Sequence, residues 1–267
     1  MKKFGLIGHP ITHSLSPALF KAGYDGRYPY ELIDTPDFEE AYQRFINEYE
    51  GINVTAPFKE LAYAKADIIS EECRMIGATN LLVKTPEGVT AYNSDYRGLL
   101  HWLNNIISSA PHSSEVRKVL IAGVGGAGKA AAAAAWKAGL EVTLMNRDIS
   151  KAENMAVRLP GRTTVRPLSE FAECFNESDI VIYNLPVRLE DFENLLDLAN
   201  VRPGTKYVLE ANYKNPSFDQ DFLGDLVKNG MSIEYHSGLT WLLLQAMNGY
   251  ELFTGEKPDL SSMAEQI

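Results

Sequence analysis

Cysteine is almost absent from this chain of 267 residues: Cys73 and Cys174 lie far apart and in no C-x-x-C or metal-like spacing. That argues against a disulfide framework or a structural zinc site, and predicts two reduced, buried thiols in a cytoplasmic protein. No His, Cys and carboxylate cluster stands at metal-ligand spacing either, so no metal is expected. Long apolar runs are missing too. None approaches the roughly 18 residues of a membrane span, and the start, "MKKFGLIGHP", reaches Gly8, His9 and Pro10 too soon for a secretory leader. Positive charge is also in short supply. With 25 Lys and Arg against 35 Asp and Glu, the net charge of -10 argues against nucleic acid or an anionic membrane as a partner. A small anionic ligand stays compatible, because a local pocket can oppose the global sign.

What is present is ordinary for a globular protein: 45% hydrophobic and 22% charged residues, in a chain long enough for one large or two smaller domains. Short apolar runs alternate with helical patterns, the signature of an α/β fold with mostly parallel strands. The expected strands are "KFGLIG", "YELIDT", "GINVTA", "TNLLVKT" paired with "VTAYNSD", then "KVLIAGV", "EVTLMNR", "DIVIYNL", "KYVLEAN" and "SIEYHS". The polar, turn-rich stretch at 106–118 marks a boundary. "GLTWLLLQAMNGYELFTGE", from Gly238 to Glu256, reads as an amphipathic helix returning to the first domain. Two α/β domains follow: residues 1–100 with 239–267, built on an N-terminal mostly parallel sheet, and a Rossmann-like domain at 101–238. A ligand is expected in a cleft between them.

The loop "GVGGAGKA", Gly123 to Ala130, invites two readings. As a nucleoside-triphosphate P-loop it lacks the hydroxyl that ligates magnesium, because Ala130 stands where Ser or Thr is needed. As a dinucleotide loop it has the three required neighbours: the strand "KVLIAG" before it, the helix "KAAAAAAWKAGL" after it, and a ribose-reading position about 20 residues on. Gly123 makes the tight turn, Gly125 lets backbone N–H groups approach a pyrophosphate, and Gly128 brings helix and sheet together, with Gly126 and Ala127 completing the cradle. At the ribose position Asn146 and Arg147 replace the usual acid, and an amide beside a guanidinium suits a 2′-phosphate, which points to NADP. Asp148 next to them keeps NAD as the alternative, and Lys151 can offset that carboxylate.

Outside this domain, "GHPITHSLSP", "GINVTAPFK", "GATN" and "YNSDYRG" each place hydroxyls, amides or ionisable groups at an end of an expected strand, as a pocket for a polyhydroxylated substrate would. Together with "GVGGAG", the "NR" after the second cofactor-domain strand and "GLTWLLLQA", they resemble, in order and over almost the whole chain, the motif set of shikimate dehydrogenases. The resemblance implies reversible, NADPH-dependent reduction of 3-dehydroshikimate to shikimate; a monomer or homodimer is expected. It assigns Ser14 and Ser16 to the substrate carboxylate, and Thr55, Lys59, Asn80, Asp95 and Gln245 to the substrate hydroxyls and the reacting carbon. Lys59 and Asp95 form the chemical pair: an alkoxide formed by hydride delivery needs a proton donor, and the carboxylate orients the ammonium.

The resemblance also places Asn184 and the Gly238 backbone near the nicotinamide, and Tyr213 near the substrate. Alternatives remain a quinate/shikimate dehydrogenase using NAD, and a non-catalytic NADP or metabolite sensor on the same scaffold, which would be marked by loss of Lys59 or Asp95. Three departures from the family pattern stand out. "YNLPVRL" lacks the small Thr/Ser-Gly loop after Asn184; "EANYKNPSF" has Glu210 for Asp and one extra residue before Pro216; and Phe20 replaces a common His, a position expected to serve packing.

Overall fold

The computed structural model describes residues 2–109, 116–196 and 203–267, so residues 110–115 of the boundary stretch lie outside the described residues. The chain divides into two compact units, Met1–Gly98 with Leu242–Ile267, and Leu99–Trp241.

The first unit contains β1 (Phe4–Gly8), α1 (Ser16–Gly23), β2 (Tyr30–Asp34), α2 (Phe38–Glu48), β3 (Gly51–Val54), α3 (Lys59–Lys65), β4 (Ile68–Ile69), α4 (Glu71–Ile76), β5 (Leu81–Thr85) and β6 (Gly88–Tyr92). The sheet runs β2-β1-β3-β5-β6-β4. Only β5 runs against its neighbours, pairing antiparallel with both β3 and β6. This matters for function: the start of β5 lies at the same sheet edge as the ends of β1, β3 and β6. Successive side chains on a strand face opposite ways, and Leu81 and Leu82 accordingly enter different cores. Leu82 joins Ile7, Phe45 and Ile52, whereas Leu81 joins Phe4, Phe20, Tyr250 and Phe253.

Phe20 is fully buried there, with ring centroids 4.8 Å from both Tyr30 and Tyr250. Burying such a ring contributes about 1.5–3 kcal/mol, which an imidazole would offset by desolvation. The departure at Phe20 is therefore a packing choice.

The second unit begins within α5 (Ser94–Ser109) and continues through β7 (Lys118–Ala122), α6 (Gly126–Lys137), β8 (Glu141–Met145), α7 (Ile149–Arg158), β9 (Thr163–Val165), α8 (Phe171–Glu177), β10 (Ile180–Tyr183), β11 (Thr205–Glu210), α9 (Gln220–Lys228) and β12 (Ser232–Ser237). It ends within α10 (Gly238–Thr254), after which α11 (Leu260–Ala264) closes the chain. All five strand pairings are parallel, in the order β12-β11-β10-β7-β8-β9. This is the doubly wound Rossmann order, whose ligand crevice lies at the carboxyl ends of the strands where the winding reverses, here between β7 and β10. Ala130 to Ala135 of α6 are all fully buried. Their methyl groups let this helix lie close against its neighbours, so the alanine run serves packing.

Every expected strand is present. Two short strands are additional to the expectation, β4 with two residues and β9 with three. Both cysteines are free thiols in buried positions, and burial pushes each up to about 11. Among the described residues no helix is long and apolar enough to cross a membrane, and no group of His, Cys, Asp and Glu could hold a metal.

Candidate active site

In the first unit the chain returns repeatedly to the same sheet edge. After β1, the loop to α1 is pinned by Asp34 at the end of β2: its Oδ1 lies 2.8 Å from His9 Nδ1, and its Oδ2 accepts from the Ile11 N–H at 3.1 Å. The Ile11 N–H and then the His9 ring hold this carboxyl below the usual range. His9 is thus tied to a carboxylate that shapes the loop. Ser14 and Ser16 follow, their hydroxyls 3.1 Å apart, and Ser14 Oγ accepts from the Ser16 N–H at 3.2 Å. The N-cap of α1 is Leu15, with no side-chain cap bond, and Pro17 sits in the first turn. The Ser14 hydroxyl therefore meets the first helical N–H from outside the cap position.

After β3, Thr55 donates its N–H to Ile7 O at 3.0 Å, and α3 begins at Lys59 four residues on. After β6, α5 carries Asp95 in its first turn. Lys59 Nζ and Asp95 Oδ2 meet at 2.6 Å, with side chains 22% and 15% exposed. A charge-assisted contact of that length holds the ammonium in a defined direction, and its partial exposure leaves it reachable.

Before β5, the Val54 N–H donates to Asn80 O at 2.8 Å, fixing Asn80 between β3 and β5. Its side chain turns to Ser94, which donates its N–H to Asn80 Oδ1 at 2.7 Å and accepts from Asn80 Nδ2 at 3.0 Å. The Ser94 hydroxyl in turn donates to Gln245 Oε1 at 2.9 Å. Gln245 comes from α10, whose backbone runs close to α5: a Cβ on Gly98 would lie 2.7 Å from the Gln245 nitrogen. Ser94 is fully buried and joins two of the expected substrate residues. Sequence reasoning passes over it as the middle letter of "NSD".

In the second unit the expected cofactor residues line the carboxyl edge of the sheet. Gly123 follows β7 with φ +94°, a left-handed conformation that glycine tolerates, and its N–H donates to Met145 O at 2.8 Å. Gly125 caps α6, and a Cβ there would meet nothing within 4 Å, so the space above the helix N-terminus is open. Gly126, Ala127 and Gly128 form the first turn of α6. A Cβ on Gly128 would lie 1.9 Å from Gly123 O, so loop and helix touch directly.

Asn146, after β8, accepts from the Val124 N–H at 2.9 Å and donates to Asp148 O at 2.8 Å. It braces the glycine loop, at the position expected to read the ribose. Asp148 is the N-cap of α7 and accepts from both the N–H and the hydroxyl of Ser150. The Ser150 hydroxyl and N–H hold its carboxyl below the usual range. The carboxylate beside the expected phosphate position is thus engaged on the helix. Arg147 and Lys151 are exposed, and their side chains make no hydrogen bond or ion pair among the described residues.

Asn184, after β10, donates its N–H to Ala122 O at 2.7 Å, while both atoms of its side-chain amide are buried without a hydrogen-bond partner among the described residues. Its Nδ2 would be 3.5 Å from a Cβ on Gly128. A buried amide left unmatched beside an open glycine cradle is costly unless a ligand or water completes it. This is the fit expected of a dinucleotide site. Gly238, after β12, approaches Ala211 so closely that a Cβ would lie 2.3 Å from Ala211 O. Packing alone requires glycine there. Tyr213 lies in the loop after β11, which Glu210 organises: its fully buried carboxylate accepts from the N–H groups of Ser217 at 2.5 Å and Phe218 at 3.0 Å. Asn212 and Asn215 clamp the turn between them, with Asn212 Nδ2 donating to Asn215 O at 2.9 Å.

Known proteins are similar to this chain in sequence and in fold. Residues 6–82 match the family model described as the shikimate dehydrogenase substrate binding domain, and residues 106–186 match shikimate / quinate 5-dehydrogenase. A Thermus thermophilus protein named shikimate dehydrogenase (NADP(+)) is 33% identical, over 99% of this chain and 97% of that relative. The chain belongs to the shikimate dehydrogenase family.

A family member from Caldanaerobacter subterraneus, with the same name, is 31% identical over 100% of this chain and 96% of its own length. The crystal structure of a Thermus thermophilus shikimate 5-dehydrogenase, in complex with NADP(H) and shikimate, superposes with a TM-score of 0.79 at 29% identity, covering 100% of this chain and 98% of that one. The two-sheet α/β architecture is thus that of the shikimate dehydrogenase family. Within the first unit, Asn80, Ser94 and Gln245 form one bonded group and Lys59 and Asp95 another. The second unit carries the expected cofactor residues at the carboxyl edge of its sheet.

Proposed function

We propose that this chain catalyses the reversible, NADPH-dependent reduction of 3-dehydroshikimate to shikimate, on the route to chorismate and the aromatic amino acids. The observation that carries the reading is the Lys59–Asp95 pair, 2.6 Å apart at the sheet edge where Thr55 and Asn80 also emerge. Bound NADPH supplies the hydride. The substrate ketone oxygen then gathers negative charge, and the Lys59 ammonium lies ready to give it a proton, leaving a neutral amine and a new hydroxyl. In the oxidative direction the amine takes the hydroxyl proton as hydride leaves carbon. Asp95, 2.6 Å away, keeps the Lys59 ammonium oriented. Ser14 and Ser16 serve the substrate carboxylate, while Thr55, Asn80 and Gln245 serve the ring hydroxyls. Tyr213 is assigned to the substrate as well.

The cofactor is held by the cradle from Gly123 to Gly128, with Asn184 and Gly238 toward the nicotinamide and Asn146, Arg147 and Lys151 toward the 2′-phosphate. NADP is favoured over NAD because Arg147 and Lys151 are exposed while the Asp148 carboxylate is engaged on α7. We place the enzyme in the cytoplasm, with its two buried thiols reduced, as a monomer or homodimer.

Steady-state rates with shikimate and quinate, each with NADP and NAD, test the reading. Turnover of shikimate with NADP is expected to dominate. No turnover of either substrate would move the chain to the sensor class, and preferential quinate oxidation with NAD would correct both substrate and cofactor. Arg147→Ala is expected to raise the KM for NADP about tenfold, as for one lost charge-assisted hydrogen bond, and to leave the KM for NAD nearly unchanged. An equal rise for both cofactors would remove Arg147 from the 2′-phosphate.

A further inference from the structure

We infer that Ser94 is a positioning residue that fixes the polarity of two amides, so that Asn80 and Gln245 both offer N–H donors and read substrate oxygens as acceptors. The inference rests on the functional reading above, which makes these amides substrate contacts.

The direction of each bond follows from its neighbour. A backbone N–H can only donate, so the atom of Asn80 that meets the Ser94 N–H at 2.7 Å must be the carbonyl Oδ1. The Asn80 amide is thereby oriented, and its Nδ2 donates to Ser94 Oγ at 3.0 Å. The Ser94 hydroxyl has a single proton to give, and it goes to the nearer acceptor, Gln245 Oε1 at 2.9 Å, with Asn80 Oδ1 at 3.4 Å and already taken by the Ser94 N–H. Gln245 therefore spends its acceptor on the protein and keeps both Nε2 hydrogens, while Asn80 keeps one Nδ2 hydrogen. Among the described residues nothing else takes them.

Ser94 is fully buried, so water does not compete for this relay. Gly249 stands against it, with a Cβ there placed 3.2 Å from both Ser94 Cβ and Oγ. The relay is thus enclosed on the α10 side by a residue with no side chain.

The chemical consequence is a selection rule. A ligand group facing these amides must present lone pairs, as a ring hydroxyl or ketone oxygen does; an ammonium or a second amide N–H would face donors. Ser94 makes no claim on the reacting carbon, so its effect belongs to binding.

The test uses the full-length protein. Ser94→Ala is expected to raise the KM for shikimate about tenfold, the size of one buried hydrogen bond, with kcat and the KM for NADP each within about threefold of wild type. Ser94→Thr, which keeps the hydroxyl, is expected to restore most of the loss. Should Ser94→Ala fold poorly, Gln245→Glu provides the second arm at a partly exposed position. It replaces the Nε2 donors with an acceptor, so shikimate binding should weaken at least as much.

An unchanged KM in Ser94→Ala, a loss confined to kcat, or undiminished shikimate binding by Gln245→Glu would overturn the inference. Wild-type turnover of shikimate is measured first. Its absence would refute the functional reading, whereas a normal wild type with unaffected variants refutes only the role of Ser94.

Discussion

Lys59→Ala should lower kcat for shikimate oxidation by about 10²–10⁴-fold, the range that a positioned general acid or base contributes, while leaving the protein folded. The loss is expected to be large because, on the proposed mechanism, the ammonium held 2.6 Å from Asp95 carries the proton, and without it water would have to supply or take that proton. The stability cost is small for a separate reason. Lys59 is 22% exposed and Asp95 15% exposed, so removing the lysine strands no fully buried carboxylate. A partly solvated pair of this kind contributes about 1 kcal/mol or less. Lys59→Arg divides the role further: a guanidinium keeps the charge but does not give up its proton, so a variant still slow by a large factor identifies proton transfer, and one near wild type identifies charge alone. Steady-state kinetics with thermal unfolding in parallel decide the matter, and a wild-type kcat in Lys59→Ala would remove the lysine from the chemistry.

Lys59 enters through the family resemblance of its motif; what the residues themselves make legible is a matter of physical range. The longer strands are legible because each is a run of apolar residues long enough to show a period; β4 and β9, with two and three residues, are too short to carry one. The glycine loop is legible because glycine spacing reports local backbone demands, and Gly123 and Gly128 meet those demands against each other within a single loop. Ser94 answers to Gln245, 151 positions away, and nothing local marks a serine inside "NSD" as the link.

Asn146 shows a subtler limit. Its position at the end of β8 is legible, but its grip on the Val124 N–H depends on two strands lying side by side. Asp148 likewise reads as a charge near a phosphate, although the "D-I-S" spacing already contains a helix cap in which Ser150 claims the carboxylate. Local chemistry there outranks the long-range reading. The substitution of Glu210 for Asp and the longer loop after Tyr213 are harder to foresee, because the reach of the carboxylate to Ser217 and Phe218 is set by the folded loop.

The second large effect is expected from the glycine cradle, where adding one methyl group at either of two glycines should weaken NADP binding, but only one of the two should strain the fold. In Gly128→Ala the new methyl would sit 1.9 Å from Gly123 O and 2.9 Å from Gly123 C. The loop cannot withdraw: Gly123 is tied to Met145 O at 2.8 Å, Val124 to Asn146 Oδ1 at 2.9 Å, and the far side of Gly123 is closed by Asn184, whose backbone would lie 3.1 Å from a Cβ there. Helix α6 must move instead, and its buried alanines hold it against its neighbours. Overpacking of this kind costs about 1–3 kcal/mol, and displacing the helix N-terminus forfeits the N–H bonds offered to a pyrophosphate. Losing two charge-assisted bonds of that kind raises the KM for NADP about a hundredfold.

Gly125→Ala separates the two consequences. Its methyl meets nothing within 4 Å and its φ of -80° suits any residue, so the thermal midpoint should hold. The same methyl projects into the open space that the pyrophosphate is assigned, and the KM for NADP should rise with the KM for shikimate unchanged. If Gly125→Ala bound NADP like the wild type, the cradle would have to lie elsewhere, however well Gly128→Ala behaved as a packing defect.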